Sequence, residues 1–309
     1  MTGSLASWLI LGGALTLLLV LDLAVVRGRG GEMSLHDASI ASVFWVSTAA
    51  VFFVVLLLTA PAGDAESFLA GYLVEKSLSL DNVFVFLLVF TAFSVPAEER
   101  HRLLTYGILL ALVLRAIFIV AGAAALDSFS WLSFVFAAVL IWTGWRLWRG
   151  RHDHDSESAL VERLTRRLPI STAPPAGRLT RRENGRRMLT ASGAALAGIA
   201  IVDIIFAVDS VPAILAITTD VFIVFAANAF ALLGLRPLFF LVAELVQKLY
   251  YLKSALAALL VFIGLKLIAA EFVGKIGPEI SLPAIAAILA TGVVASLLRT
   301  RRLERGPTA

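Results

Sequence analysis

Apolar residues dominate nine stretches of this chain, at about 6–26, 39–60, 67–91, 103–125, 129–148, 192–216, 221–245, 252–270 and 282–298. Each is close to the roughly 20 residues that an α-helix needs to cross a hydrocarbon core of about 30 Å. The pattern predicts an all-α polytopic membrane protein with about nine transmembrane helices. The first stretch does not read as a cleavable signal peptide, because no basic segment precedes it and its apolar run is too long. Polar residues collect between the stretches. The longest polar segment, at about 149–190, is rich in Arg, Ser, Thr and Pro, with Pro174-Pro175 in its middle. It reads as a mobile cytoplasmic linker between two halves.

Composition agrees with the pattern. Of 309 residues, 60% are hydrophobic and only 16% charged. Soluble domains carry roughly 25% charged residues. A soluble enzyme, a disordered protein and a collagen-like chain are excluded. There is no cysteine, so a disulfide framework, a thiolate metal site and a thiol nucleophile are excluded as well.

The position of the charges matters more than their net value of +4. Arg27, Arg29, Arg100, Arg102, the eleven arginines from Arg146 to Arg187, Lys248, Lys253, Arg299, Arg301, Arg302 and Arg305 all fall on one side of a nine-span chain. The other side holds Lys266 and Lys275 among Asp64, Glu66, Asp127, Asp220, Glu271 and Glu279. The positive-inside rule then puts the N-terminus outside and the C-terminus in the cytoplasm. Orientation, together with attraction of a multi-pass protein to anionic lipid, accounts for the basic character. Nucleic acid is not an expected partner. His152-Asp153-His154-Asp155 has metal-ligand spacing, but a solvated loop is the preferred reading.

The apolar stretches also repeat. Glu75-Lys-Ser-Leu-Ser-Leu-Asp81-Asn82-Val83 and Asp203-Ile-Ile-Phe-Ala-Val-Asp209-Ser210-Val211 share one pattern at an offset of 128. Leu114-Arg115 and Leu235-Arg236 match at 121, and Ala137 to Leu147 matches Ala257 to Leu267 at 120. The unit is three helices, an odd number, so its copies enter the membrane from opposite sides, as in many secondary transporters. The chain thus divides into peripheral spans (1–60), a first repeat (61–148), an Arg-rich loop (149–190), a second, inverted repeat (191–270) and a last span with a basic tail (271–309).

Glu75, Asp81, Asp203, Asp209, Arg115 and Arg236 lie inside spans, where each costs at least about 2.5–3.5 kcal/mol on insertion scales. They must face one another, water or an ion. Two arginines and Lys76, which is free to snorkel, do not balance four acids, and a cation or protons would. Glu75 shares a helix face with Asn82, and Asp203 with Ser210, while the two acids of one span lie about 9 Å apart along the axis. A site shared between the repeats is therefore expected, with local breaks at Pro212 and Pro237. Its donors are oxygens, and all four His are assigned to loops, so hard cations such as Mg²⁺, Ca²⁺ and Mn²⁺ fit best. Asp22 is read first as a partner of Arg27. Asn228 and Glu244 are weaker candidates. The Trp and Tyr residues near span ends read as interfacial anchors.

The two acidic segments, with Arg115-Ala-Ile-Phe and Gly234-Leu235-Arg236-Pro237-Leu238-Phe239, resemble the signatures of the TerC family of membrane proteins. Pro237 departs from the family pattern, where a small polar residue is expected. The family takes its name from tellurium resistance, and manganese exporters are counted among it. The resemblance implies metal binding by Glu75, Asp81, Asn82, Asp203, Asp209 and Ser210, with Asp22, Arg115 and Arg236 in support or along the pathway. It implies no catalytic activity and no cofactor beyond the transported ion, with Mn²⁺ first among hard divalent cations. The alternative is a membrane scaffold of a metal or tellurite stress-resistance complex, docking soluble partners through the 149–190 loop. A homo-oligomer fits either reading. An intramembrane aspartyl protease is disfavoured, since Gly-x-Gly-Asp is missing around Asp81 and Asp209.

Overall fold

The computed structural model describes residues 3–27, 34–61, 63–129, 131–149, 170–171, 178–183, 186–245, 250–273 and 278–304. Long apolar runs become helices: α1 (Leu5–Arg27), α2 (Leu35–Thr59), α3 (Asp64–Ala92), α4 (Ala97–Ser128) and α5 (Leu132–Arg149). A hairpin follows, β1 (Thr180–Glu183) with β2 (Arg186–Leu189). Then come α6 (Ala191–Leu215), α7 (Val221–Leu233), α8 (Leu235–Leu245), α9 (Leu252–Val273) and α10 (Pro278–Glu304).

Among the described residues, five helices are long and apolar enough to cross a membrane alone: α2, α4, α6, α9 and α10. The pair α7–α8, bent by 40°, makes a sixth. The 29-residue α3 is long enough, but carries Asp64, Glu66, Glu75, Lys76 and Asp81.

Burial is inverted relative to a water-soluble protein. Glu75, Arg115 and Asp203 are at most 1% exposed, while Leu9, Leu58, Ile117 and Phe272 are each more than 60% exposed. Apolar side chains outside and charges inside are what lipid selects. Trp131, Trp142, Trp145 and Trp148 stand exposed at the two ends of α5. The Arg149 guanidinium lies 4.0 Å from the Trp145 ring centre, and that of Arg299 lies 3.4 Å from the Tyr250 ring centre. Such aromatic–cation pairs suit the headgroup layer.

α3 occupies the centre, packed against α2, α6, α7, α8 and α10. α4 lies on α6 and α7, and α1 docks on α7 through Trp8, whose ring meets Phe222 edge-on at 5.2 Å. The most extensive pairing joins α5 to α9. Two glycines permit it. A Cβ on Gly144 would lie 2.8 Å from the Ala257 oxygen, and one on Gly264 would lie 3.0 Å from the Ala137 oxygen.

Two local expectations need correction, and one holds. The break expected at Pro237 is there: α7 ends at Leu233, four residues before it, where the proline ring and its missing N–H deny the helix its next hydrogen bond, and α8 resumes at Leu235 with a 40° bend. Pro212, by contrast, does not break α6, which runs on to Leu215. Nor do all histidines lie in loops: His36 opens α2, and His101 is buried in α4, stacked on Phe240 at 4.4 Å.

Part of the 149–190 segment has structure of its own. β1 and β2 pair antiparallel, with Arg181 opposite Met188. The hairpin seats Leu179 and Leu189 against the bundle core and leaves Arg181, Arg182 and Arg187 exposed. Thr190 links it to the bundle: its hydroxyl accepts from the Gly193 amide at 3.1 Å, capping α6, and donates to the Arg178 carbonyl at 2.6 Å. His152 and His154 lie outside the described residues.

Candidate functional site

Four helices each bring one polar side chain to a common point in an apolar interior. α3 supplies Glu75, α4 Arg115, α6 Asp203 and α7 Asn228, all at most 1% exposed. Helical phase places them there. Arg115, Asp203 and Asn228 each have apolar neighbours along their helices, while Glu75 is followed by Lys76, Ser77 and the buried Ser79.

Arg115 organises the group. Its Nη1 donates to Glu75 Oε1 and, at 2.7 Å, to Asn228 Oδ1. Its Nη2 stands 3.8 Å from Asp203 Oδ1, within ion-pair range but beyond hydrogen bonding. Asn228 is fixed in turn, since its Nδ2 donates to the Val224 carbonyl at 3.1 Å. One guanidinium thus answers two carboxylates. Glu75 Oε2 and both carboxylate oxygens of Asp203 have no hydrogen-bond partner. Buried acceptors left open in this way mark where water or a cation belongs.

Beside this cluster lies a cavity of about 50 Å³, lined by Asn82, Ser210, Thr143 and Arg115, with Leu78, Leu147, Phe206 and Leu260. A buried water needs about 10–15 Å³ of such space, so the cavity has room for a few waters or for a cation. Asn82 Nδ2 and Ser210 Oγ also have no hydrogen-bond partner. These residues come from α3 and α6 at equivalent points of the sequence repeat.

The structure therefore brings Glu75, Asp203 and Arg115 together, and sets Asn82 and Ser210 at the adjoining cavity. Asp81 and Asp209 precede Asn82 and Ser210 on their helices, but their side chains lie outside the described residues, as do those of Asp22 and Glu244. Among the described residues no three His, Asp or Glu side chains form a metal-binding group. Arg236 is buried elsewhere along α4, where its Nη1 donates to Thr105 Oγ1 at 3.4 Å. It sits one turn from the His101–Phe240 stack.

Sequence alone gives Asn228 little weight and does not single out Thr143. The signal for Asn228 was present: it is the sole polar residue in the 13-residue run of α7. Lys76 does not snorkel. Its Nζ donates inward to the Ala231 carbonyl at 3.3 Å.

The chain matches the model of the integral membrane protein TerC family over residues 60–304. It is 44% identical over 286 residues to the membrane protein STKORF319 of Myxococcus xanthus, covering 92% of this chain and 89% of that protein. It is 34% identical to a membrane protein of Rickettsia felis, covering 96% and 99%. It is 39% identical to Alx of Escherichia coli K12, described as a proposed membrane-bound redox modulator, covering 83% of each chain. No solved structure matches. Match and relatives agree along nearly the whole length: this chain belongs to the TerC family of integral membrane proteins.

Proposed function

We propose that the chain exports a divalent metal cation, Mn²⁺ first, through an intramembrane site shared by two inverted three-helix repeats. The observation that carries this reading is Arg115 gripping Glu75 from one repeat and Asp203 from the other. Around it, open carboxylate oxygens adjoin a cavity edged by Asn82 and Ser210. When the site is empty, the guanidinium holds the acids together. A divalent ion arriving at Asp81, Asn82, Asp209 and Ser210 competes with it for Glu75 and Asp203. Release on the far side returns the acids to Arg115.

Pairwise contacts support the inverted repeat. Gly144 meets Ala257 while Gly264 meets Ala137, and each pair maps onto the other at the sequence offset of 120. α3 packs on α7 as α6 packs on α4. A pseudo-two-fold axis generates such reciprocity, the odd number of spans in each unit lays that axis in the membrane plane, and alternating access follows from rocking one unit against the other. On this reading α1, α3 and α5 also cross, giving nine spans with the N-terminus outside and the C-terminus in the cytoplasm. Oxygen donors suit hard ions. The redox role in Alx's description finds no thiol here, since the chain has no cysteine.

Transport into inverted membrane vesicles tests the reading. Mn²⁺ accumulates with the wild-type chain, and Asp81→Asn or Asp209→Asn abolishes it. Wild-type accumulation in both variants would sink the site assignment.

A further inference from the structure

Lys76 follows Glu75 on α3, yet its ammonium turns away from the acids. Nζ donates to the carbonyl of Ala231, 3.3 Å away in the last turn of α7. A helix end leaves its final carbonyls without intrahelical donors, and the macrodipole makes that end negative. Within a membrane, such a half-helix end is where several transporters hold a small monovalent cation.

Gly234, the residue at the break, lies directly against the ammonium. A Cβ there would lie 2.6 Å from Lys76 Nζ and 3.2 Å from Trp45 Cβ. Trp45 itself is 1% exposed. A side chain at the break would have to push the ammonium aside.

Comparison of the repeats points the same way. The position 128 beyond Lys76 is Ile204, which is 40% exposed on α6. The position 121 before Gly234 is Val113, inside the unbroken 32-residue α4. Lysine and helix break each occur in one repeat, and they meet.

We infer that Lys76 is a tethered cation filling a monovalent-cation site at the α7–α8 break, in the place of a free Na⁺ or K⁺. The site belongs to the transporter reading in its consequence, which is that Mn²⁺ export needs neither ion. Its existence does not depend on that reading.

Thermal melting of the purified full-length protein tests it in choline, Na⁺, K⁺ and methylammonium chloride at one ionic strength. Lys76→Ala should melt below wild type in choline, and at least one small cation should raise its midpoint by about 3 °C or more. The wild-type midpoint should be the same in all four salts. A Lys76→Ala midpoint indifferent to the salt, or a wild-type midpoint that shifts with it, overturns the proposal. If Lys76→Ala does not fold, Lys76→Arg and Lys76→Gln decide: Arg should melt with wild type in choline and Gln below it, and a Gln variant equal to wild type overturns the proposal. Melting is read without transport, so a chain that moves no Mn²⁺ leaves the result standing.

Discussion

Arg115 answers two carboxylates on different helices, and this sets the energetics of the site. Removing its charge leaves Glu75 and Asp203 buried among apolar side chains with no partner cation. Breaking a buried ion pair from one side costs about 3–5 kcal/mol, because the uncompensated charge remains. Arg115→Met should therefore lower the melting midpoint strongly in detergent, and Glu75→Gln in the same chain should recover part of the loss. A double variant no more stable than Arg115→Met would show that the pair is not the seat of the cost. Arg115→Lys should not substitute, since an ammonium cannot reach Glu75, Asn228 and Asp203 together. The acids were legible in the sequence because charge in an apolar run is expensive. Their sharing of one arginine was not. Sequence gives the helix face of a side chain but not the helix it meets, and it suggested one arginine for each repeat.

At the scale of elements, the α5–α9 pairing depends on two glycines at equivalent positions. Gly144→Val and Gly264→Val should each drive the helices apart, at about 1–3 kcal/mol from overpacking. Equal losses from the two are the mark of reciprocity. Gly198→Ala, whose added methyl would meet Phe93 and Val89 at 3.4 Å, serves as the tolerated control. Thermal unfolding of the three variants checks this, and a large loss from only one of the two valines would contradict it. Helix positions were legible within a few residues, since lipid-length apolar runs leave little choice. The break before Pro237 was legible, since a proline denies Leu233, four residues earlier, its helical hydrogen bond, whereas α6 absorbs Pro212 without a break. The hairpin was invisible because its strands, Thr-Arg-Arg-Glu and Arg-Arg-Met-Leu, show no clear alternation. Its docking rests on Leu179 and Leu189, contacts distant in sequence from their partners.

For the whole molecule, the absence of cysteine makes orientation directly measurable. Single-cysteine variants on intact cells should divide by side. Ser128→Cys, at the end of α4, should react with an impermeant maleimide from outside. Thr180→Cys, in the hairpin, and Thr300→Cys, near the end of α10, should react only after lysis. Labelling of Thr180→Cys on intact cells would reverse the assigned topology. Replacing residues 150–169 by a Gly/Ser linker and Arg181, Arg182 and Arg187 by Ser should leave Mn²⁺ export unchanged, whereas a scaffold docking partners through the 149–190 loop would lose its function.

The proposed transport requires one cation site between the repeats. Its most direct test is anomalous diffraction at the manganese edge from crystals of the purified protein grown with Mn²⁺. A single strong peak per chain is expected at the cavity of Asn82 and Ser210, within coordination distance of oxygens from both α3 and α6. Manganese bound to one of these helices alone, or no peak in that cavity, would contradict it.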